Sequence, residues 1–391
     1  MGSILPDAAW TKREDLAALN AALGDDQSRY VGGAVRDTLL GIEVKDIDLA
    51  TPLLPDEVIT RLGVAGIRTV PTGIAHGTLT ALLAKGPVEI TTLRHDVTTD
   101  GRRATIAFAS DWQDDAARRD FTINALYADP ASGEIFDYFG GLDDLAARRL
   151  RFIGDARERI REDHLRILRY FRFQARFGSQ PADADSESAC AELAATLKGL
   201  SRERIGNEML NLLALPDPAP TLARMAELGV LAVVLPEAAA EPLADLVAEE
   251  QRQTIPPDPI RRLAALLPAD VGQAERVAAR FRLSRAQRER LASAAKRDQS
   301  LGTPPHTLAY RLGTEQAIDR LLLTGLDAAP VADWAIPVFP LKGGEIVARG
   351  VTVGPDVARI LKTVEDRWVE EEFPDKARVE ELLTEELGRS A

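Results

Sequence analysis

Residues 30–51, YVGGAVRDTLLGIEVKDIDLAT, hold a glycine pair and an arginine (Gly32, Gly33, Arg36) just ahead of two alternating carboxylates, Asp46 and Asp48. On a strand over residues 45–50, alternate side chains share a face, so Asp46 and Asp48 point one way while Ile47 and Leu49 enter a core. Carboxylates about 7 Å apart along a strand can share a hard cation, and Mg²⁺ favours oxygen ligands completed by substrate phosphates. The same alternation is also the ordinary pattern of a half-exposed strand. The Gly-Gly-x-x-Arg-Asp element ahead of it shifts the reading toward chemistry. Glycines admit close backbone approach, a helix opening near residue 34 offers free N–H groups to an anion, and Arg36 adds a planar fork for phosphate. No Gly-Lys-Ser/Thr follows, which excludes a P-loop, and the third glycine of a dinucleotide fingerprint is missing.

Two further clusters lie downstream. In ARRDFTINAL (residues 117–126), which reads as the start of a helix, Arg119 can meet a triphosphate, while Asp120 and Asn124 can read ribose hydroxyls. A capped helix with two exposed arginines would give the same string. In EDHLRILRYFRF (residues 162–173), Asp163, Arg166, Arg169 and Arg172 form an i+3 row on a continuous helix. That row is about 13 Å long, enough for a nucleotide lying along it. Ile160, Ile167, Phe171 and Ala175 fall on another side, toward a core. An ionised Asp only accepts and an Arg only donates. Asp163 with Arg166 therefore matches the amino group and ring nitrogen of cytosine or adenine, and mismatches guanine and uracil. An i,i+3 salt bridge on a solvated helix is the alternative for this pair.

These residues need elements to position them. At 391 residues and 45% hydrophobic, the chain has material for two to four structural units. Residues 1–27 read as a leading helix. Residues 28–141 have mixed α/β texture, with strand-like runs at 68–71, 78–83, 88–93 and 104–108, the middle two forming a hairpin. From about residue 142 the pattern is helical, with breaks where Pro and Gly cluster. The expected fold is thus a small α/β head followed by a long all-α part.

Composition excludes several classes. The single cysteine, Cys190, rules out an intrachain disulfide framework and a multi-cysteine zinc site, and fits a reducing cytoplasm. The four histidines are scattered. No run of eighteen apolar residues exists, so no membrane partner is expected, and the early acids Asp7, Glu14 and Asp15 give no sign of a secretory signal. A net charge of −13 argues mildly against nucleic acid, yet residues 148–176 carry ten arginines against four carboxylates. A basic middle in an acidic chain can be a phosphate-binding groove, or the solvated face of a helix.

The order GGAVRD…DID, RRDFTINAL, EDHLRILRYFRF resembles the class II tRNA nucleotidyltransferases (CCA-adding enzymes) and the related bacterial poly(A) polymerases, closely over residues 28–177. SRERIGNEMLNLL (residues 201–213) looks like the family's fourth helical motif, with Asn211 where a lysine is expected. Residues 222–237, with LGVLAVVLPE, and residues 341–361 are also family-like, the latter with Ala358 in place of a glycine. The resemblance implies a DNA polymerase β-like nucleotidyltransferase head (28–141), a neck that reads the base and binds RNA (142–215), and a helical body and tail (216–391) contacting tRNA. It implies that Asp46 and Asp48 bind Mg²⁺, that Gly33, Arg36 and Arg119 hold the triphosphate, and that Asp163 and Arg166 read the base, with Arg169 and Arg172 completing the site. A third catalytic carboxylate is expected in such sites. Glu89 is the candidate, since Val88 and Ile90 would face inward.

The implied activity is template-independent CCA addition to the tRNA 3′ end from CTP and ATP, in the cytoplasm. The full length of residues 94–111, a loop and strand linked in such enzymes to the switch from C to A, favours complete addition over CC-only or A-only addition. A poly(A) polymerase is the nearest rival, and the Gly-Arg-Arg-Phe element of that branch is missing, since Ala104 follows Gly101-Arg102-Arg103. A non-catalytic RNA-binding protein is the remote one. Oligomeric state is left open.

Overall fold

A computed structural model describes residues 3–100, 103–109, 111–352 and 354–390. Gly101, Arg102 and Ser110 of the expected switching segment lie outside the described residues. The chain divides into two compact units, Met1–Glu208 with Arg224–Val234, and Met209–Ala223 with Leu235–Ala391.

The first unit begins with residues that do not form the expected long helix. Ile4 bridges to Glu134, and Trp10 donates through its indole N–H to Thr38 Oγ1 at 2.9 Å. Only α1 (Glu14–Leu23) is a regular helix, with Leu16, Leu19 and Leu23 fully buried. There follow β1 (Arg29–Val31), α2 (Gly33–Leu39), β2 (Asp48–Thr51), α3 (Pro55–Val64), β3 (Thr69–Gly73), β4 (Thr78–Leu83) and β5 (Gly86–Thr92). The 78–93 hairpin expected from the sequence is β4–β5, running from Thr78 opposite Thr91 to Leu83 opposite Gly86. β6 (Arg94–Asp100) and β7 (Arg103–Phe108) make a separate two-stranded sheet.

After α4 (Trp112–Ala117), the segment read as a helix start is instead a single 3-10 turn, Thr122–Asn124, leading into β8 (Leu126–Ala128); β9 (Ile135–Asp137) follows. The main sheet has the order β3-β4-β5-β2-β1-β8-β9, with only the β2–β5 pair parallel. Its core gathers Val31, Ala50, Leu93, Ala125, Tyr127 and Ile153. Then come α5 (Gly141–Ala146), α6 (Ala156–Glu162), α7 (Arg166–Phe177), α8 (Ala184–Leu193) and α9 (Arg202–Leu213). The continuous helix expected across 162–172 is broken at Asp163, whose φ of −148° is extended. Ile160, Ile167 and Phe171 are buried as expected, whereas Ala175 is only partly so.

α5 is seated tightly. A Cβ on Gly141 would lie 2.3 Å from the Thr122 carbonyl oxygen and 2.9 Å from its carbon. Both are backbone atoms that cannot rotate away. Gly141→Ala is expected to destabilise the first unit by about 3 kcal/mol, read as a lower denaturant midpoint at unchanged slope. An unchanged midpoint would show that α5 can shift freely.

The second unit is helical. One core collects Leu246, Leu308, Leu321 and Val331, and another collects Ile346, Ile360, Trp368 and Leu382. It also buries charge. Glu250 accepts from Arg261 at 2.7 Å and from Arg262 at 2.8 Å, and Arg262 caps the chain end of α9 by donating to the Leu213 and Pro216 carbonyls. Such buried ions are tolerable only when paired in this way. Among the described residues, no helix is long and apolar enough to cross a membrane.

Candidate active site

The strand carrying the carboxylates is shorter than its sequence pattern. β2 opens at Asp48, and Asp46 lies in the segment before it. The alternation still holds: Ile47 and Leu49 are buried, Asp48 is partly covered, and Asp46 is exposed. The parallel register sets Asp48 directly beside Glu89 on β5, where Val88 and Ile90 are buried and Glu89 is exposed. Asp48 and Glu89 therefore leave the sheet on the face opposite Ile47, Leu49, Val88 and Ile90, with Asp46 just ahead of β2.

Burial, then the neighbouring charge of Glu89 and that of Asp46, push the Asp48 carboxyl up to about 6, against the opposing pull of Arg119. Crowded carboxylates of this kind are the environment a divalent cation relieves. Among the described residues, no group of three or more His, Cys, Asp or Glu side chains is drawn together tightly enough to enclose a metal. An open arrangement suits Mg²⁺, which keeps water and takes phosphate oxygens.

The glycine turn stands beside this edge. Gly32 has φ +65°, a conformation that disfavours side chains, and its N–H donates to the Leu126 carbonyl at 3.0 Å. A Cβ there would meet Arg119 Nη1 at 3.4 Å, whereas at Gly33 it would lie 3.8 Å from Arg36 Nη2. Arg119 thus overlooks the turn from one side. Arg36 is buried, donates to Asp37 Oδ1 at 2.8 Å and to Asn124 Oδ1, and lies 4.2 Å from the Phe177 ring centroid.

The residues assigned to the ribose are engaged with one another. Asn124 donates to Asp120 Oδ1 at 2.9 Å, and Arg169 donates twice to Asp120 Oδ2, at 2.9 and 2.6 Å. A continuous chain Arg36–Asn124–Asp120–Arg169 results. A ribose reaches the Asp120 carboxylate only by exchanging partners, because both its oxygens are already engaged.

The expected row of four is also rearranged. Asp163 caps the end of α6 outside any helix, its Oδ1 accepting from the Leu165 N–H at 3.1 Å and its Oδ2 from Arg204 Nη2 at 2.6 Å. Arg166 turns back to Glu162 and to the carbonyls of Arg159 (2.9 Å) and Arg118 (3.1 Å). The i,i+3 salt bridge between Asp163 and Arg166 does not form; only their backbones bond. Arg172 pairs with Glu208 at 2.7 Å. Sequence reasoning missed Arg204 and Glu208, although both sit in the SRERIGNEMLNLL motif on α9. It also missed Asp115 and Tyr127, which bracket Arg119.

A mixed sheet that carries a carboxylate pair beside a glycine turn, with helices following, defines a polymerase-type nucleotidyltransferase. Residues 28–151 match the family model of the "Poly A polymerase head domain", and residues 183–241 match that of the "Probable RNA and SrmB- binding site of polymerase A". The zebrafish (Danio rerio) protein named CCA tRNA nucleotidyltransferase 1, mitochondrial, is 36% identical, over 87% of this chain and 83% of its own. Its human (Homo sapiens) counterpart is 35% identical, over 87% and 82%. The chain belongs to the CCA tRNA nucleotidyltransferase family. The solved CCA-adding enzyme of Bacillus stearothermophilus in complex with CTP superposes with a TM-score of 0.77 at 26% identity, covering 96% of this chain and 98% of that one. The Thermotoga maritima CCA-adding enzyme complexed with tRNA shares the fold, at a TM-score of 0.72 and 21% identity, each chain being covered in full.

Proposed function

We propose that this protein adds CCA to the 3′ end of tRNA from CTP and ATP, releasing pyrophosphate, without a nucleic-acid template. One observation carries the reading: in a chain similar to CCA-adding relatives over most of its length, Asp48 stands beside Glu89 and within the field of Arg119, which lies against the Gly32 turn. The RNA 3′-hydroxyl attacks the α-phosphate, forming the new ester as the bond to pyrophosphate breaks.

The three carboxylates are a hard oxygen donor set suited to Mg²⁺, which Asp46 and Asp48 would hold; when bound, the ion supplies Lewis-acid activation of the hydroxyl and of the leaving pyrophosphate. Glu89 adds the third carboxylate. Arg119 steadies the triphosphate against the glycine turn formed by Gly32 and Gly33, and Arg36 supports that turn from beneath. Asp163 accepts from the amino group of cytosine or adenine while Arg166 donates to the adjacent ring nitrogen. Asp120, Asn124 and Arg169 complete the nucleotide site once the nucleotide displaces their mutual contacts, as does Arg172 on leaving Glu208.

In this reading residues 28–141 are the catalytic head, 142–215 the base-reading neck, and 216–391 the body and tail that meet tRNA. The single buried cysteine fits a cytoplasmic enzyme.

The test is extension of a tRNA transcript lacking CCA, with Mg²⁺ and nucleotides given singly and together. Two additions with CTP, and one more only when ATP is present, are expected. A long A ladder with ATP alone would make the protein a poly(A) polymerase. CC-only or A-only products would narrow the activity, and no extension of any RNA would leave a binding protein.

A further inference from the structure

Arg119 is held from behind. Its Nε donates to the Tyr127 hydroxyl at 3.1 Å and its Nη2 to Asp115 Oδ2 at 3.1 Å, while the Tyr127 hydroxyl donates to the same Oδ2 at 2.7 Å. The three groups close a ring of hydrogen bonds. Nη1 takes no part in that ring and lies against the Gly32 turn. A guanidinium is rigid and planar, so fixing two of its nitrogens fixes the direction of the third.

The fold sets this up in two places. On β8, Tyr127 pairs with Val31, the residue just before Gly32, so its side chain emerges beside the turn. On α4, Asp115 stands three and four residues ahead of Arg118 and Arg119, a spacing that brings all three together. Both holding residues are buried, Asp115 at 1% exposure and Tyr127 at 0%. Neutralising a buried carboxylate would not require this ring. Arg118 already grips Asp115 Oδ1 through Nε at 2.8 Å and Nη2 at 2.7 Å. The second oxygen and the tyrosine hydroxyl are directed at the two rear nitrogens of one arginine. Burial alone would raise the Asp115 carboxyl, but Arg119, Arg118 and the Tyr127 hydroxyl hold it down at about 2, so it stays charged.

We propose that Asp115 and Tyr127 are positioning residues for the nucleoside triphosphate, locking Arg119 so that Nη1 faces the phosphates over the Gly32 turn. The inference rests on Arg119 being a triphosphate ligand. Its test is a double-mutant cycle read in KM and kcat for CTP and ATP, with Tyr127→Phe, Arg119→Ala and the pair together. Tyr127→Phe is expected to raise KM for both nucleotides about fivefold, as loss of one supporting hydrogen bond would, with kcat little changed. In the Arg119→Ala background it should add nothing. Asp115→Asn should act likewise and more strongly; if it fails to fold, Tyr127→Phe carries the test alone. A Tyr127→Phe effect that persists in full without Arg119, or a lowered melting temperature with KM unmoved, would overturn the positioning role. An unchanged KM in Arg119→Ala itself would remove the triphosphate reading, and the proposal with it.

Discussion

Asp48→Asn and Asp46→Ala are each expected to lower turnover by at least about a thousandfold while leaving tRNA affinity nearly intact, since a metal site contributes several kcal/mol to such a transfer. Asp48 lies beside Glu89 in the parallel register, and Asp46 precedes the strand. Neither aspartate belongs to the buried layer of Ile47, Leu49, Val88 and Ile90 on the opposite face. Asp48→Asn should also fold well, because a neutral amide relieves the burial and like-charge crowding that push the Asp48 carboxyl up. Single-turnover extension beside a gel-shift measurement of tRNA binding separates chemistry from binding. Glu89→Gln belongs in the same series. A loss comparable with that of Asp48→Asn would make Glu89 a full member of the site, and a small loss would leave it an electrostatic neighbour. Normal turnover in Asp46→Ala would sink the metal assignment.

The parts of this site that were legible in the sequence are those in which chemistry and geometry are both local. Asp46 and Asp48 are two residues apart, and although β2 begins only at Asp48, the buried Ile47 between them keeps the alternation. Gly32 is legible for the same reason, since a positive-φ turn ahead of a helix needs a glycine. The failures come where tertiary structure overrides a local pattern. The row from Asp163 to Arg172 has helical spacing throughout, yet Asp163 is extended and α7 starts at Arg166. Periodicity cannot register a three-residue break when the residues on both sides keep the same phase. β8 and β9, three residues each, are too short to show alternation, and pairing with β1 and with each other is what makes them strands.

The ion partners were the least legible. Arg169 meets Asp120 across 49 residues, Arg204 meets Asp163 across 41, and Arg172 meets Glu208 across 36. Arginine-rich composition announced charge between residues 148 and 176 but not what would balance it. In the folded chain much of that charge is matched by single carboxylates from other elements. The basic middle is therefore less an open phosphate groove than a set of paired cations that a nucleotide must recruit. That has a bearing on how tightly the site binds. In the proposed reading, exchange of Asp120 from Arg169 to a ribose hydroxyl gives up a charged pair held by two hydrogen bonds to one carboxylate oxygen, so part of the nucleotide's binding energy goes into opening the Arg36–Asn124–Asp120–Arg169 chain.

Asp163→Ala should loosen base choice more than it weakens triphosphate binding. The preference for CTP and ATP over GTP and UTP is expected to fall about a hundredfold, with KM for the cognate nucleotides rising only a few-fold. Asp163 keeps acceptor capacity to offer. A carboxylate has about four lone-pair sites. One is taken by the Leu165 N–H and one by Arg204, which leaves acceptors for an exocyclic amino group. Arg166 is pinned by Glu162 and by the Arg159 and Arg118 carbonyls, so its two remaining N–H groups are presented in fixed directions. In the proposed reading, loss of Asp163 removes the penalty on a base carbonyl, so that only the guanine or uracil ring N–H facing Arg166 is left to disfavour those bases. Arg204→Ala provides the intermediate case, since the acceptor survives but its orientation does not. A smaller loss of selectivity is expected there, measured by single-nucleotide incorporation from each of the four triphosphates. Unchanged selectivity in Asp163→Ala, with Arg204→Ala also silent, would move base reading off this pair altogether.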